Sequence, residues 1–153
     1  MKIQNMSESA PSWRPSQAEV ANFLNTQHLG VISTIGPDGP QGATVAFSQT
    51  DALEIIIGTS DVSRKALNID NDHRVAFTIT DPEQRFTVQT EGYARELGQT
   101  AFGAYAEKHF EKLPNSAPFR DIKGQAYFLL SPRHVRFTDC NPHPWVITEF
   151  DFE

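Results

Sequence analysis

Apolar residues in this chain recur mostly at every second position, and only three segments carry helical spacing. Val31 to Ile35, Gln41 to about Gln49, Leu53 to Ile57, Arg74 to Thr80, Arg85 to Leu97, Gln125 to Leu130 and Arg133 to Thr138 read as strands, bounded by turn residues. Alternation is clearest from Arg85 to Leu97. There Phe86, Val88, Gly92 and Ala94 share one face and Thr87, Gln89, Glu91 and Tyr93 the other, and Gly92 marks a bulge or a close backbone approach. The helical segments are Ser16 to about Gln27, a stretch from an N-cap at Ser60 or Asp61 to about Ile69, and Gln99 to about Lys112. The first opens with a capping box, Ser16-Gln17-Ala18-Glu19, ahead of Val20, Phe23 and Leu24. The third aligns Phe102, Ala106, His109 and Leu113, which makes His109 a packed residue, favourable near a helix C-terminus, rather than a ligand.

Turn chemistry orders these pieces. Gly36-Pro37-Asp38-Gly39-Pro40 joins the first two strands as a hairpin, and strand alternation after it excludes a dinucleotide loop for the glycines at 36, 39 and 42. Ser131-Pro132 splits the last two strands, and Asn141-Pro142-His143-Pro144 stiffens the approach to Trp145. About seven short strands with three helices predict a mainly β protein, a small antiparallel barrel with peripheral helices. At 153 residues the chain fits one domain over 16–153 behind a flexible leader over 1–15, in which Met6 offers an alternative start.

Composition narrows the partners. A formal net charge of −6 and no run of Lys and Arg argue against nucleic acid and anionic membrane. One cysteine, Cys140, excludes an internal disulfide and a cysteine-only zinc site, and a reducing cytoplasm is the simplest home. The sequence contains no Walker loop, no Gly-x-Ser-x-Gly, no His-Glu-x-x-His and no Cys-x-x-Cys, so no catalytic residue and no metal site is nominated. A cofactor that brings its own chemistry is then the economical expectation.

One stretch has chemistry of its own, Gly58-Thr59-Ser60-Asp61-Val62-Ser63-Arg64-Lys65-Ala66-Leu67-Asn68. It follows an apolar strand, turns, and starts a helix with two adjacent cations. Val62, Ala66 and Ile69 form a narrow apolar stripe, while Arg64, Lys65 and Asn68 converge outside the core. Free amides, the helix dipole and the two cations suit a phosphate, with Asp61 opposed unless it turns away. An ordinary capped surface helix fits the same pattern equally well.

With this stretch set among its strands, the chain resembles the pyridoxamine 5′-phosphate oxidase-like family of FMN-binding split barrels, over roughly Val20 to Phe137. The resemblance rests on the Gly-Pro-Asp-Gly-Pro hairpin, Ala43-Thr44-Val45-Ala46-Phe47-Ser48, Gly58-Thr59, Ser63-Arg64-Lys65, Asn71-Asp72-His73-Arg74-Val75 and Glu91-Gly92-Tyr93-Ala94. It implies a six- to seven-stranded antiparallel split β-barrel, a homodimer with the cofactor between subunits, and FMN-dependent oxidoreduction of a small molecule. Arg64 and Lys65 would take the FMN phosphate, with Ser63 as hydroxyl donor and Asn68 alongside. Gly58 and Thr59 would lie along the cofactor, and the backbone of 43–48 (Ala43, Thr44, Val45, Ala46, Phe47) would border the flavin ring. Thr87 stands five residues before the strand glycine, where the family often has a flavin-touching glutamine, and Gln89 shares its face. Trp145 matches a C-terminal Trp near the flavin. Ala43 and Ser48 replace an Arg and a Lys of the vitamin-forming enzyme, and its basic C-terminal segment has no counterpart, which argues against synthesis of pyridoxal phosphate. The same barrel also suits a non-enzymatic flavin or haem binder, or a deazaflavin-dependent reductase.

Overall fold

The computed structural model describes residues 13–153. Helix α1 (Gln17–Asn25) is followed by strands β1 (Leu29–Gly36), β2 (Gly39–Ala46), β3 (Ser48–Gln49) and β4 (Ile55–Ser60), then α2 (Arg64–Asn71). Strands β5 (Arg74–Asp81) and β6 (Phe86–Leu97), helix α3 (Gln99–Lys112), a 3₁₀ segment (Pro114–Asp121), β7 (Gln125–Asp139) and β8 (Val146–Asp151) complete the chain. All pairings are antiparallel, in the order β2-β1-β5-β6-β7-β4-β3 with β8 on β7, and the sheet curls into a half-barrel. The mainly β, split-barrel expectation holds, with eight strands instead of six or seven.

Local chemistry explains most boundaries. The capping box on α1 forms as expected, Glu19 N–H donating to Ser16 Oγ and Ser16 N–H to Glu19 Oε1. Gly39, at φ +135°, closes the two-residue β1–β2 hairpin that pairs Gly36 with itself. Leu53 does not belong to β4: its φ of +61° puts it in the preceding turn, and the strand starts at Ile55.

The two final strands expected from the sequence are one strand. β7 runs unbroken through Ser131 and Pro132, and the register against β6 shifts between Glu91 and Gly92. Pro132 has no N–H to give the ladder, so it sits in the bulge. Gly92 is obligatory here, since a Cβ would lie 2.0 Å from Ser131 O. β7 pairs β6 along its length, β4 over Gln125–Leu130 and β8 over His134–Asp139, and so forms the spine of the sheet.

The barrel interior is filled by residues such as Phe47, Phe77, Ile79, Val88 and Phe137, each fully buried. Val20, Phe23 and Leu24 of α1 close one end. A smaller cluster of Ile56, Leu97, Phe102, Ala106, Tyr127 and Leu129 lies beneath α3. Ile56, the one outward-facing isoleucine of β4, is thus covered by a helix. Of the expected leader, residues 1–12 lie outside the described residues, and Trp13 is docked 5.0 Å from the ring centroids of both Phe86 and Phe137.

Candidate cofactor site

The split lies between β2 and β4. One edge of β4 pairs β7 over Ile55–Ser60, whereas β3 covers its other edge only at Ile55 and Ile56. β2 ends the sheet, so its edge away from β1 is also open. Between these edges is a cavity of about 300 Å³ lined by Thr44, Val45, Ala46, Gly58, Thr59 and Lys65, and closed by His109, Leu113, Ser116, Phe119, Gln125 and Tyr127. Unpaired strand edges offer backbone donors and acceptors, and small side chains at 44 to 46 leave them accessible.

The turn into α2 is built differently from the sequence expectation. Ser63, not Ser60 or Asp61, is the N-cap, accepting from Ala66 N–H at 3.2 Å. Thr59 Oγ1–H also donates to Ser63 Oγ, at 3.2 Å, which leaves the Ser63 proton to give. Asp61 turns away from the helix end: its N–H donates to Gly124 O and its carboxylate lies beside Gly124. The amides of Arg64 and Lys65 make no hydrogen bond among the described residues, and Lys65 lines the cavity while Arg64 is exposed and does not. A helix N-terminus with free amides and two cations attracts anions.

Two side chains on this helix are placed otherwise. Val62 precedes the cap and is 75% exposed, so the buried stripe is Ala66 and Ile69. Asn68 does not face outward with the cations. It is buried, and its Nδ2 donates to Thr34 Oγ1 at 3.0 Å and Gln41 Oε1 at 2.9 Å, fastening α2 to the first hairpin.

On the opposite wall, Gly58 lets β7 side chains cross β4. A Cβ there would lie 2.7 Å from Gln125 Nε2 and 2.8 Å from Tyr127 Cε1. The tyrosine ring cannot retreat, because it stacks on Phe102 with centroids 3.7 Å apart. Its hydroxyl is buried with no hydrogen-bond partner. Burial raises the phenol pKa, against a smaller pull from the neighbouring Gln125 amide.

The remaining expected residues lie elsewhere. Phe47 is in the barrel core, with Lys112 Nζ 3.8 Å over its ring, and Ala43 packs against that core. Thr87 and Gln89 are on the outer face of β6, Thr87 donating to Ile79 O and Gln89 exposed. Trp145 is 59% exposed ahead of β8 and neither lines the cavity nor anchors the tail, which Phe150 and Phe152 hold against the core. Conversely, sequence reading missed Gln125, Tyr127, Ser116 and Phe119, whose arrival depends on strand register and the 3₁₀ segment.

His109 is buried in the expected stripe, yet carries no charge to meet the helix dipole. Burial, and secondarily Lys112, push its pKa down to about 4. Burial lowers Lys112 to about 7, although its Nζ donates to Leu24 O and Gln49 Oε1. No helix among the described residues is long and apolar enough to cross a membrane.

An antiparallel half-barrel with a helix N-terminus opening beside its split defines the split-barrel fold. The family model for pyridoxamine 5′-phosphate oxidase matches residues 16–139, and the chain belongs to that family. No curated protein sequence matches it. Among solved structures, it is similar to a heme binding protein from Mycobacterium smegmatis (TM-score 0.75, 19% identity), covering 91% of this chain and 59% of that one. The chain thus spans about three-fifths of that protein's length. A conserved hypothetical protein from Mycobacterium tuberculosis is 26% identical (TM-score 0.67), over 82% of this chain and 85% of that one. A pyridoxamine 5′-phosphate oxidase-related, FMN binding protein from Nostoc punctiforme is 13% identical (TM-score 0.67), over 94% of this chain and all of its own.

Proposed function

We propose that this protein binds FMN in the split between β2 and β4 and acts as an FMN-dependent oxidoreductase on a small molecule. The observation that carries this reading is the convergence on one cavity of Lys65, the free first-turn amides of α2, two open strand edges and the unpartnered Tyr127 hydroxyl. Arg64 and Lys65 hold the phosphate, Ser63 donates its proton to it, and the β2 edge at Thr44 to Ala46 orients the ring. When bound, the flavin supplies the electron transfer, and the chain supplies anchoring, orientation and exclusion of water. The FMN binding protein from Nostoc punctiforme supports the choice of cofactor.

The working form is a homodimer in the cytoplasm. The outer sheet face leaves Leu29 61%, Val31 40% and Ile147 41% exposed, and a second copy on this face brings Thr87, Gln89 and Trp145 to a neighbouring site. A second reading, haem on the same barrel, is favoured by the Mycobacterium smegmatis protein and by the imidazole on the cavity wall. An absorbance spectrum of the purified protein separates them. Two flavin bands support FMN, a Soret band supports haem, and a mass spectrum of the released cofactor identifies a deazaflavin. Arg64→Ala with Lys65→Ala is expected to weaken FMN binding by about 1.5–3 kcal/mol per lost charge-assisted contact. Unchanged affinity in a folded double variant would refute the phosphate assignment.

A further inference from the structure

A second cavity, of about 780 Å³ between α1, β3 and α3, adjoins the first at His109, which stands on the wall of both. Ser48 lines only the second, and its Oγ lies 2.6 Å from His109 Nδ1. Both side chains are buried, at 4% and 2% exposure. Phe102, Phe110 and Tyr127 meet the imidazole edge-on, with centroids 5.7, 5.2 and 5.7 Å away, so the ring is held in one orientation. Nδ1 is taken on the Ser48 side. The Nε2 edge is therefore the one left for the cavity that contains Lys65 and Tyr127.

Protonation follows from the partners. Ser48 Oγ has no other acceptor for its proton among the described residues, so it donates to Nδ1. Burial keeps the ring neutral near pH 7, which places its one hydrogen on Nε2. Nε2 has no hydrogen-bond partner among the described residues, and neither has the buried hydroxyl of Tyr127 on the same wall. Two donors without acceptors beside a lysine call for a ligand rich in anionic oxygen.

We propose that His109 is a ligand-binding donor of this site, fixed in its Nε2–H tautomer by Ser48. With Tyr127 it makes the cavity select a phosphate-bearing ligand over its dephosphorylated form. The proposal rests on the flavin reading above and adds to it a residue from α3 and a basis for discrimination.

The test compares FMN with riboflavin, by flavin fluorescence titration, on variants at one position. His109→Asn keeps an amide for Ser48 but has no atom at the Nε2 position, whereas the amide nitrogen of His109→Gln reaches it. His109→Asn is expected to weaken FMN about tenfold, the size of one charge-assisted bond, with riboflavin nearly unchanged, and His109→Gln to recover most of the loss. Nitrogen-15 spectra of the wild-type imidazole are expected to show the Nε2–H tautomer and a shift of that proton when FMN is added. Unaltered imidazole resonances at saturating FMN overturn the proposal, as does a folded His109→Asn variant with wild-type affinity, provided that Lys65→Ala loses FMN. Failure of the wild-type protein to take up FMN overturns the proposal and the flavin reading together. If His109→Asn does not fold, the wild-type spectra decide.

Discussion

The two apolar clusters of this molecule differ in kind. The barrel interior around Phe47, Phe77, Ile79 and Phe137 is an extended cluster of apolar side chains. The smaller cluster beneath α3 is stacked aromatics with a buried phenol that has no partner, and it borders an imidazole that is neutral at pH 7. The first is held by apolar packing; the second keeps a phenol hydroxyl and an imidazole Nε2 without a partner among the described residues. Perturbed groups gathered at a cavity mark function rather than stability. The contrast separates the part of the protein that holds the fold from the part where we propose that the ligand binds.

The strongest way to break this division is to truncate one ring in each cluster. Phe77→Ala is expected to cost about 3–5 kcal/mol of stability in denaturant titrations, while the folded fraction keeps its ligand affinity. Phe102→Ala removes the support of Tyr127, so it should lose ligand affinity beyond its stability cost. Equal losses of affinity in the two variants would abolish the distinction.

A smaller effect is read from pH. The folded pKa of His109 is about 4 against an ordinary 6.5, so on acidification the unfolded chain takes the proton first. Its contribution is complete above pH 6.5 and is lost as pH falls through 4, by up to about 3 kcal/mol. Denaturant midpoints at pH 7 and 4.5 should show this slope in wild type and in a Phe77 variant, and show it flattened in His109→Gln. The smallest effect concerns Thr148, whose Oγ1 is buried without a partner at the edge of the barrel. Thr148→Val should be neutral or stabilise by up to about 1 kcal/mol, measured as a thermal midpoint.

Local patterns in the sequence carried much of the fold. Alternation located the strands, the Ser16 box set α1, and the isolated Gly92 within an alternating run marked the bulge that the structure contains. What was hidden depended on distant partners. Asn68 has the helical phase of an exposed residue, and only Thr34 and Gln41, brought over by the hairpin, make its burial favourable. Ser63 and Asp61 are both good caps by composition, and the choice between them follows from Gly124 engaging Asp61. Half the cavity was legible in Thr44 to Ala46 and in the run from Gly58 to Lys65. Of the other half, Gln125 and Tyr127 reach the site because Gly58 faces Tyr127 in the register of β4 on β7, which no short window of sequence encodes.

The bulge in β7 has a consequence for how this strand tolerates change. Before it, Ala126, Phe128 and Leu130 point into the barrel; after it, Val135 and Phe137 do, so the parity of the inward positions is reversed. Against β6, Gly92 faces Pro132 and Glu91 faces His134, which leaves Arg133 as the supernumerary residue. Deleting that one residue would give a regular strand that still points Val135 and Phe137 inward, whereas flattening the bulge with Arg133 retained would turn both to solvent and Arg136 toward the core. A single irregularity thus sets the phase of the end of β7 and of β8 paired to it, and a residue lost from this strand away from the bulge would turn one side of it inside out.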